Sequence, residues 1–357
     1  MKKYLFLVIF LIFQALTAQT ARHYSNEFLN IGVDGRSLAM GNAVVANIDN
    51  GTAGYWNPAG LTAVNNQQLN LMHAAYFANI AQYDYLSYAN QIDDRTSYSV
   101  SLIRFGVDNI MNTTQLIDDQ GNINYERISY FSAADYALSF SVGRKNLLKG
   151  LNVGATAKLI YRHIGDFAQG FGFGFDLGAQ YRLNKWQFGL MLRDITTTFN
   201  YWSVNKDKFN DISQAVPGQN QTAPSSVELT LPKMQLGTAR QFHLNSKLDL
   251  LAEVDLNARF FKMHSLVSSD FISMDPAVGL EFTYYKIAFI RLGVNNFRNE
   301  EFFGEKQFKF QPNAGLGFKY KGIAIDYGLT NIGSDGFYSH VFSLSVDLDR
   351  FLGKQKK

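Results

Sequence analysis

The sequence predicts an all-β fold, a 14-stranded transmembrane antiparallel β-barrel with a short N-terminal hatch in its lumen. Three observations carry that expectation. The chain opens like an exported protein, a long series of segments alternates apolar and polar residues, and the connections between those segments alternate in length.

The opening comes first. Lys2 and Lys3 precede an apolar core, Tyr4 to Phe13, and Ala18 stands just before an expected cut at Gln19. Positive start, apolar middle and small residue before the cut are the parts of a signal peptide, although Leu16 sits where a second small residue is preferred. An apolar run of about ten residues is too short for a spanning helix, which needs roughly twenty. Residues 1–18 therefore read as a cleaved leader.

Period-two alternation recurs after residue 65. In one segment Ile323, Ile325, Tyr327 and Leu329 oppose Ala324, Asp326, Gly328 and Thr330. In another Phe171, Phe173, Phe175, Leu177, Ala179 and Tyr181 oppose Gly172, Gly174, Asp176, Gly178, Gln180 and Arg182. Fourteen strands are expected near residues 67–78, 82–91, 96–105, 134–143, 151–162, 170–182, 185–194, 232–240, 246–258, 275–284, 287–297, 313–320, 323–331 and 339–348. Most have about nine to twelve residues, enough to cross a bilayer at a tilt, whereas soluble strands average about five or six. A secreted β-sandwich would instead need half of these apolar rows to meet across a core.

The connections after odd-numbered strands, beyond the first, run near 106–133, 163–169, 195–231, 259–274, 298–312 and 332–338. Those after even-numbered strands are mostly short, such as "LN" and "YK". Bacterial barrels have short periplasmic turns and longer external loops. With both termini periplasmic, the odd connections face outside the cell, and the short first one, "NIAQ", is the exception. The expected organisation is a signal peptide over 1–18, a hatch over 19–65, an outer-membrane barrel over 66–350 and a tail over 351–357. The last strand does not end on an aromatic residue, which leaves Phe351 as a candidate terminal anchor.

The apolar face is expected to meet lipid and the other face to line the lumen. Gly154, Gly172, Gly174, Gly178, Gly189, Gly237, Gly279, Gly293, Gly315, Gly317 and Gly328 fall on the inward parity. They serve either the curvature of the barrel or the room needed for something inside it. Inward charges of both signs, among them Lys158, Asp176, Arg193, Glu253, Asp255, Glu281, Arg291 and Asp326, suggest a solvated, salt-bridged lumen rather than an ion-selective pore.

Residues 28–62 precede the first strand and contain six glycines. The segment is too apolar for a free tail, so the lumen is its expected shelter. Asn57-Pro58 suits a tight turn, since Asn bonds nearby backbone and Pro fixes φ, and Tyr55 and Trp56 are expected against the wall near the periplasmic mouth. The hatch residues singled out are Arg36, Met40, Gly41, Tyr55, Trp56, Asn57, Pro58 and Ala59.

The strip "FLNIGVDGRSLAMGNAVVANIDNGTAGYWNPAGLTAV" resembles the N-terminal signature of the PorV/PorQ family, a branch of the FadL-type outer-membrane barrels. Phe28-Leu29, Gly35-Arg36, Ala39-Met40-Gly41 and Asn57-Pro58-Ala59 carry the resemblance, which is closest to PorV-like paralogues. Asp34-Gly35 departs from the more usual Gly-Ala before the Arg. Such a resemblance implies 14 strands, a hatch and one of two roles. PorV-like members belong to the type IX secretion system of Bacteroidetes, binding exported cargo through its C-terminal domain or accompanying translocon and attachment-complex proteins. FadL itself moves hydrophobic compounds across the outer membrane.

Other functions are disfavoured by the residues. A net charge of +3 is too small to suggest nucleic acid, and the absence of Cys removes disulfide and thiolate chemistry. The six His residues lack metal-type spacing, and no nucleophile elbow is present. "DDQGN" lacks the ligand series of a calcium loop. No catalytic residue, metal or cofactor is expected. The partners expected are outer-membrane lipid and secretion proteins.

Overall fold

The structure, a computed structural model, describes residues 25–117, 120–205, 227–263, 265–302, 305–331 and 338–353. The expected leader lies outside these residues, as does 206–226 within the longest connection.

Seventeen strands are present among the described residues. They are β1 (Gln68–Tyr76), β2 (Ala81–Asp93), β3 (Thr96–Asn112), β4 (Ser129–Leu148), β5 (Leu151–Ile164), β6 (Ala168–Leu183), β7 (Trp186–Arg193), β8 (Thr198–Val204) and β9 (Val227–Thr230). After them come β10 (Lys233–His243), β11 (Leu248–Arg259), β12 (Val267–Ser268), β13 (Ser273–Tyr284), β14 (Ala288–Phe302), β15 (Glu305–Tyr320), β16 (Ile323–Thr330) and β17 (Ser339–Asp347). Fourteen of these form the wall, each antiparallel to its neighbours. The ring closes where β1 pairs with β17, from Gln68↔Asp347 to Ala75↔His340. Closure removes every sheet edge within the membrane, which an unsatisfied backbone in hydrocarbon would otherwise forbid.

The alternation sorts as the period demands. On β6, Phe171, Phe173 and Phe175 are 56%, 48% and 43% exposed on the outer face, while Asp176 is 3% exposed. An apolar belt around a closed barrel places the chain in the outer membrane.

Three features go beyond the sequence expectation. First, β3 with β4, and β14 with β15, run past their expected ends, so much of 106–133 and 298–312 is paired ribbon, with Ile110↔Phe131 and Glu301↔Lys306 in register. Those ends are too polar to show a lipid-facing alternation, but they bond to one another. Second, the seventh wall strand breaks after Arg193 and resumes as β8, which pairs with β6, and β9 pairs with β8. Asp194 and Thr197 both take left-handed backbone (φ 54° and 60°) at the break. Lys158 Nζ holds Asp176 and Asp194, each at 2.7 Å, directly behind it. Third, the hatch begins in the external half of the lumen. Ser25 Oγ donates to Glu228 on β9 (3.1 Å), and the far end of the hatch, Val64 O, accepts from Ser97 Oγ beside a periplasmic turn.

The orientation is testable on whole cells. Gly121 lies in the connection between β3 and β4, and an epitope inserted there is expected to be labelled on intact cells. Labelling only after permeabilisation would invert the barrel.

Candidate functional site: the lumenal hatch

The hatch contains little regular structure. Two short helices, α1 (Gly35–Ala39) and α2 (Ala53–Trp56), and two 3-10 turns, Glu27–Asn30 and Pro58–Ala63, are joined by irregular chain. Such a chain leaves many backbone groups without internal partners. The wall supplies them.

In the external half, Phe28 and Leu29 enter an aromatic cluster. Tyr83 stacks edge-on with Tyr76 (6.2 Å) and Phe105 (5.9 Å), and its hydroxyl donates to Phe28 O at 3.2 Å. Deeper, Asp34 caps α1 by accepting from Arg36 N, and Ser343 Oγ donates to the same carboxyl at 2.9 Å. Burial, with Asp326 close by, pushes the Asp34 carboxyl up to about 6 from 3.8. The docked state therefore holds this proton more tightly than the free chain. Its contribution to docking is complete below about pH 4 and is lost as pH rises through 6.

Arg36 is the main ionic tie. Its Nε donates to Glu281 Oε2 (2.8 Å) and its Nη2 to Asn47 Oδ1 (2.9 Å). Glu281 also accepts from Arg291 Nε (2.6 Å), and Arg291 Nη1 reaches Asp326 (2.6 Å). The chain of charges thus runs from the hatch through β13 and β14 to β16. A cavity of about 320 Å³, lined by Arg36, Asp49, Asp249, Lys319 and Arg350 among others, lies at the periplasmic end beside it.

Further along, the wall meets bare hatch backbone. Val44 N and Val45 N donate to Asp255 Oδ2 (3.0 and 3.1 Å), and Ala46 N donates to Glu253 Oε1 (2.6 Å). On the opposite side, Gly54 O accepts from Ser141 (3.2 Å) and Thr156 (3.0 Å). Asn57, fully buried, spreads its side-chain amide over three carbonyls: Val45 O (2.9 Å), Ala179 O (3.0 Å) and Leu190 O (3.4 Å). Its Oδ1 accepts from Ala59 N at 3.2 Å, which shapes the turn at Pro58.

Tyr55 and Trp56 point towards the middle of the barrel, above the level expected for them. Tyr55 OH donates to Leu29 O (2.7 Å) and Trp56 Nε1 to Val33 O (3.0 Å). Arg193 lies over both rings, 4.6 and 5.8 Å from their centroids, and donates to Tyr55 O. A desolvated guanidinium over an aromatic face is attractive, and α2 turns the rings up to meet it.

Most of the inward glycines mark where the hatch touches, whereas Gly172, Gly174 and Gly317 face other residues of the wall. A Cβ at Gly143 would come within 2.6 Å of Pro58 O, one at Gly279 within 2.7 Å of Met40 O, and one at Gly328 within 2.9 Å of Gly35 O. Gly154, Gly178, Gly189 and Gly293 face hatch atoms more closely still. Gly41 completes the set from the other side, with φ +65° and Val294 N 2.8 Å from a built Cβ. Met40 and Ala59 are fully buried in the same layer.

The inward charges are therefore not a solvated lining. Glu253, Asp255, Lys158 and Arg193 are 1%, 0%, 6% and 7% exposed, and all but Lys158 bind the hatch. Their parity was visible in the sequence, but their partners lie far away along the chain. Among the described residues, no group of three or more His, Cys, Asp or Glu is placed to hold a metal ion.

Two substitutions test this arrangement. Gly154→Val puts a branched side chain into Pro58 backbone that cannot move aside. Loss of a few kcal/mol is expected, read as a lower unfolding temperature in detergent and as faster proteolysis of the hatch. Asn57→Ala removes the donor shared by Ala179 O and Leu190 O and leaves Val45 O with Gln180 alone, and is expected to cost about 1–3 kcal/mol. Unchanged melting of both variants would show that the hatch is not clamped by these contacts.

The fold has solved counterparts. The Pseudomonas putida toluene transporter TodX superposes with a TM-score of 0.58 at 14% identity, over 89% of this chain and 99% of that one. The Ralstonia pickettii toluene transporter TbuX gives 0.51 at 12%, over 88% and 98%. The monoaromatic hydrocarbon channel CymD gives 0.50 at 13%, over 88% and 97%. At these identities the likeness is one of fold, the FadL-type outer-membrane barrel. No curated protein matches the chain in sequence. A family model does match, over residues 14–195, which take in the whole described hatch and the first wall strands: the chain belongs to the uncharacterised protein family UPF0164.

Proposed function

We propose that the chain works by protein contact, as a PorV/PorQ-like component of a type IX secretion system that binds exported cargo domains or translocon partners. The observation that carries this reading is the filling of the bore. Hatch residues Val33, Met40, Val44, Ile48, Asn57 and Leu61 are fully buried against the wall. They are held by charges and hydroxyls drawn from strands all round the ring. A plug fixed in this way favours a barrel that acts as a scaffold. Above the membrane, the ribbons of β3–β4 and β14–β15 present exposed Met111, Tyr130 and Phe308, side-chain types favoured at interfaces. The resemblance of the hatch strip to PorV-like proteins supports the same reading.

Transport of hydrophobic compounds is the second reading. It is favoured by the three solved neighbours, whose names state toluene or monoaromatic hydrocarbons, and by the aromatic cluster around Phe28 in the external lumen. Deleting the gene separates the two. Loss of a subset of secreted proteins bearing C-terminal sorting domains, with uptake of toluene and fatty acids intact, is the expected result. An unchanged secretome with impaired uptake would assign the barrel to transport.

A further inference from the structure

The outer face of the barrel is uneven. Outward side chains on β5 are apolar from Leu151 to Tyr161, and on β6 from Phe171 to Tyr181. Ten residues at the usual rise and tilt make a band about 25 Å tall, the height of a barrel's lipid-facing belt. On β1 the outward series has only Leu69 and Leu71 before His73. On β2 it has Tyr88 and Leu86 before Asp84, and on β3 it has Tyr98, Val100 and Leu102 before Arg104.

These three polar residues form one cross-strand row, His73↔Asp84↔Arg104. Their side chains are 57%, 42% and 26% exposed on the outer surface. His73 Nδ1 lies 2.7 Å from Asp84, and Arg104 reaches Asp84 (3.8 Å) and Asp108 (2.8 Å). On the neighbouring strands, Tyr327 OH and His340 Nδ1 lie 2.7 Å apart on the same face.

The row continues through Tyr136 to Tyr161 at the top of the β5 band. Rows climb across this part of the barrel. The row that starts at Gln68, the first residue of β1, reaches Asp176 on β6, and β6 continues to Leu183 below it. A step of about 3 Å per strand follows from strand spacing and tilt. His73 is four strands from Tyr161, so it sits on the order of 10 Å below the top of the belt.

The wall drops at the same place. β16, β17 and β1 have 8, 9 and 9 residues, against 20, 14 and 16 for β4, β5 and β6. The turn above β1 is itself apolar, with Phe77 and Ile80 44% and 64% exposed. A groove of about 560 Å³, floored by Leu71, Leu86 and Phe342, opens beneath the polar row.

We propose that the face from β16 to β3 takes a locally thinned patch of bilayer, with external headgroups drawn down to the row of His73, Asp84 and Arg104 and acyl chain filling the groove below. Charge on a lipid-facing wall is costly at the membrane midplane and tolerated at its surface, and a bilayer yields to a short wall at modest cost per ångström. Lipid fits better than a covering protein because the rim falls together with the polar row. Little wall remains above the row on β16, β17, β1 and β2 for a protein to cover. The proposal does not depend on the secretion reading.

The chain has no cysteine, so single reporters are clean. Counting rows places Phe175, near the middle of the β6 band, at the height of Ala75, one outward position above His73 on β1. Ala75→Cys and Phe175→Cys, each spin-labelled in the purified full chain in dioleoylphosphatidylcholine vesicles, are compared by collision with oxygen and with a nickel chelate. The label at 75 is expected to lie about 5–10 Å shallower than the label at 175. Equal immersion would overturn the proposal. If photocrosslinking in cells then joined this face to another outer-membrane protein, the face would belong to a protein partner. In the Ala75→Cys background, His73→Leu, Asp84→Leu and Arg104→Leu together are expected to sink the label towards the depth found at 175. A folded triple variant with unchanged depth would remove the row from the explanation. If it does not fold, the comparison of 75 with 175 decides alone.

Discussion

At Gly143, Gly279 and Gly328 the wall carries no side chain, and hatch backbone occupies the space that one would fill. A 14-stranded ring encloses a bore too wide for its own side chains to close. Filling it with a separate segment requires that segment to approach the sheet closely, and a row of glycines lets it do so. The same closeness explains why the hatch can be irregular. Its exposed N–H and C=O groups lie within bonding distance of strands on all sides, so it does not have to satisfy them by coiling into a long helix.

The choice of partners follows from that geometry. Where the hatch offers N–H groups, at Val44 to Ala46, the wall answers with the carboxyls of Asp255 and Glu253. Where it offers carbonyls, at Gly51 and Gly54, the wall answers with hydroxyls of Ser87, Ser141 and Thr156. The ionic ties are shared. Glu281 serves both Arg36 of the hatch and Arg291 of the wall, so removing either cation leaves a buried carboxylate with half its compensation. An interior of this kind holds the hatch in one position more than it adds to net stability.

Much of the wall was legible in the sequence because lipid imposes a strict rule on it. Phe171, Phe173 and Phe175 alternate with Gly172 and Gly174 wherever the strand is in the membrane. The rule stops at the membrane surface, and so did the reading: the tops of β3, β4, β14 and β15 are polar and paired. Asp194 to Thr197 breaks the alternation, which concealed the resumption of the seventh strand at Thr198. Within the hatch, Asn57-Pro58 announced a turn through local chemistry alone. The role of Arg193 could not be read in that way. Its inward parity was plain, but its position over Tyr55 depends on the register of β7 against a segment 138 residues away.

The hatch is made before any strand of the wall, and its ties reach to the last strand, where Ser343 Oγ bonds both Gly35 N and Asp34. The seam that closes the ring, β1 with β17, begins at Gln68, immediately after the hatch ends. Folding therefore cannot finish strand by strand from one end. The ties to Ser343 can form only when β17 is in place, and β17 is also the strand that closes the seam. With contacts this remote in sequence, closure is an intrinsically slow event. A hatch locked in by the closing strand acts as a mandrel that is never withdrawn, a form that sets the radius of the sheet around it.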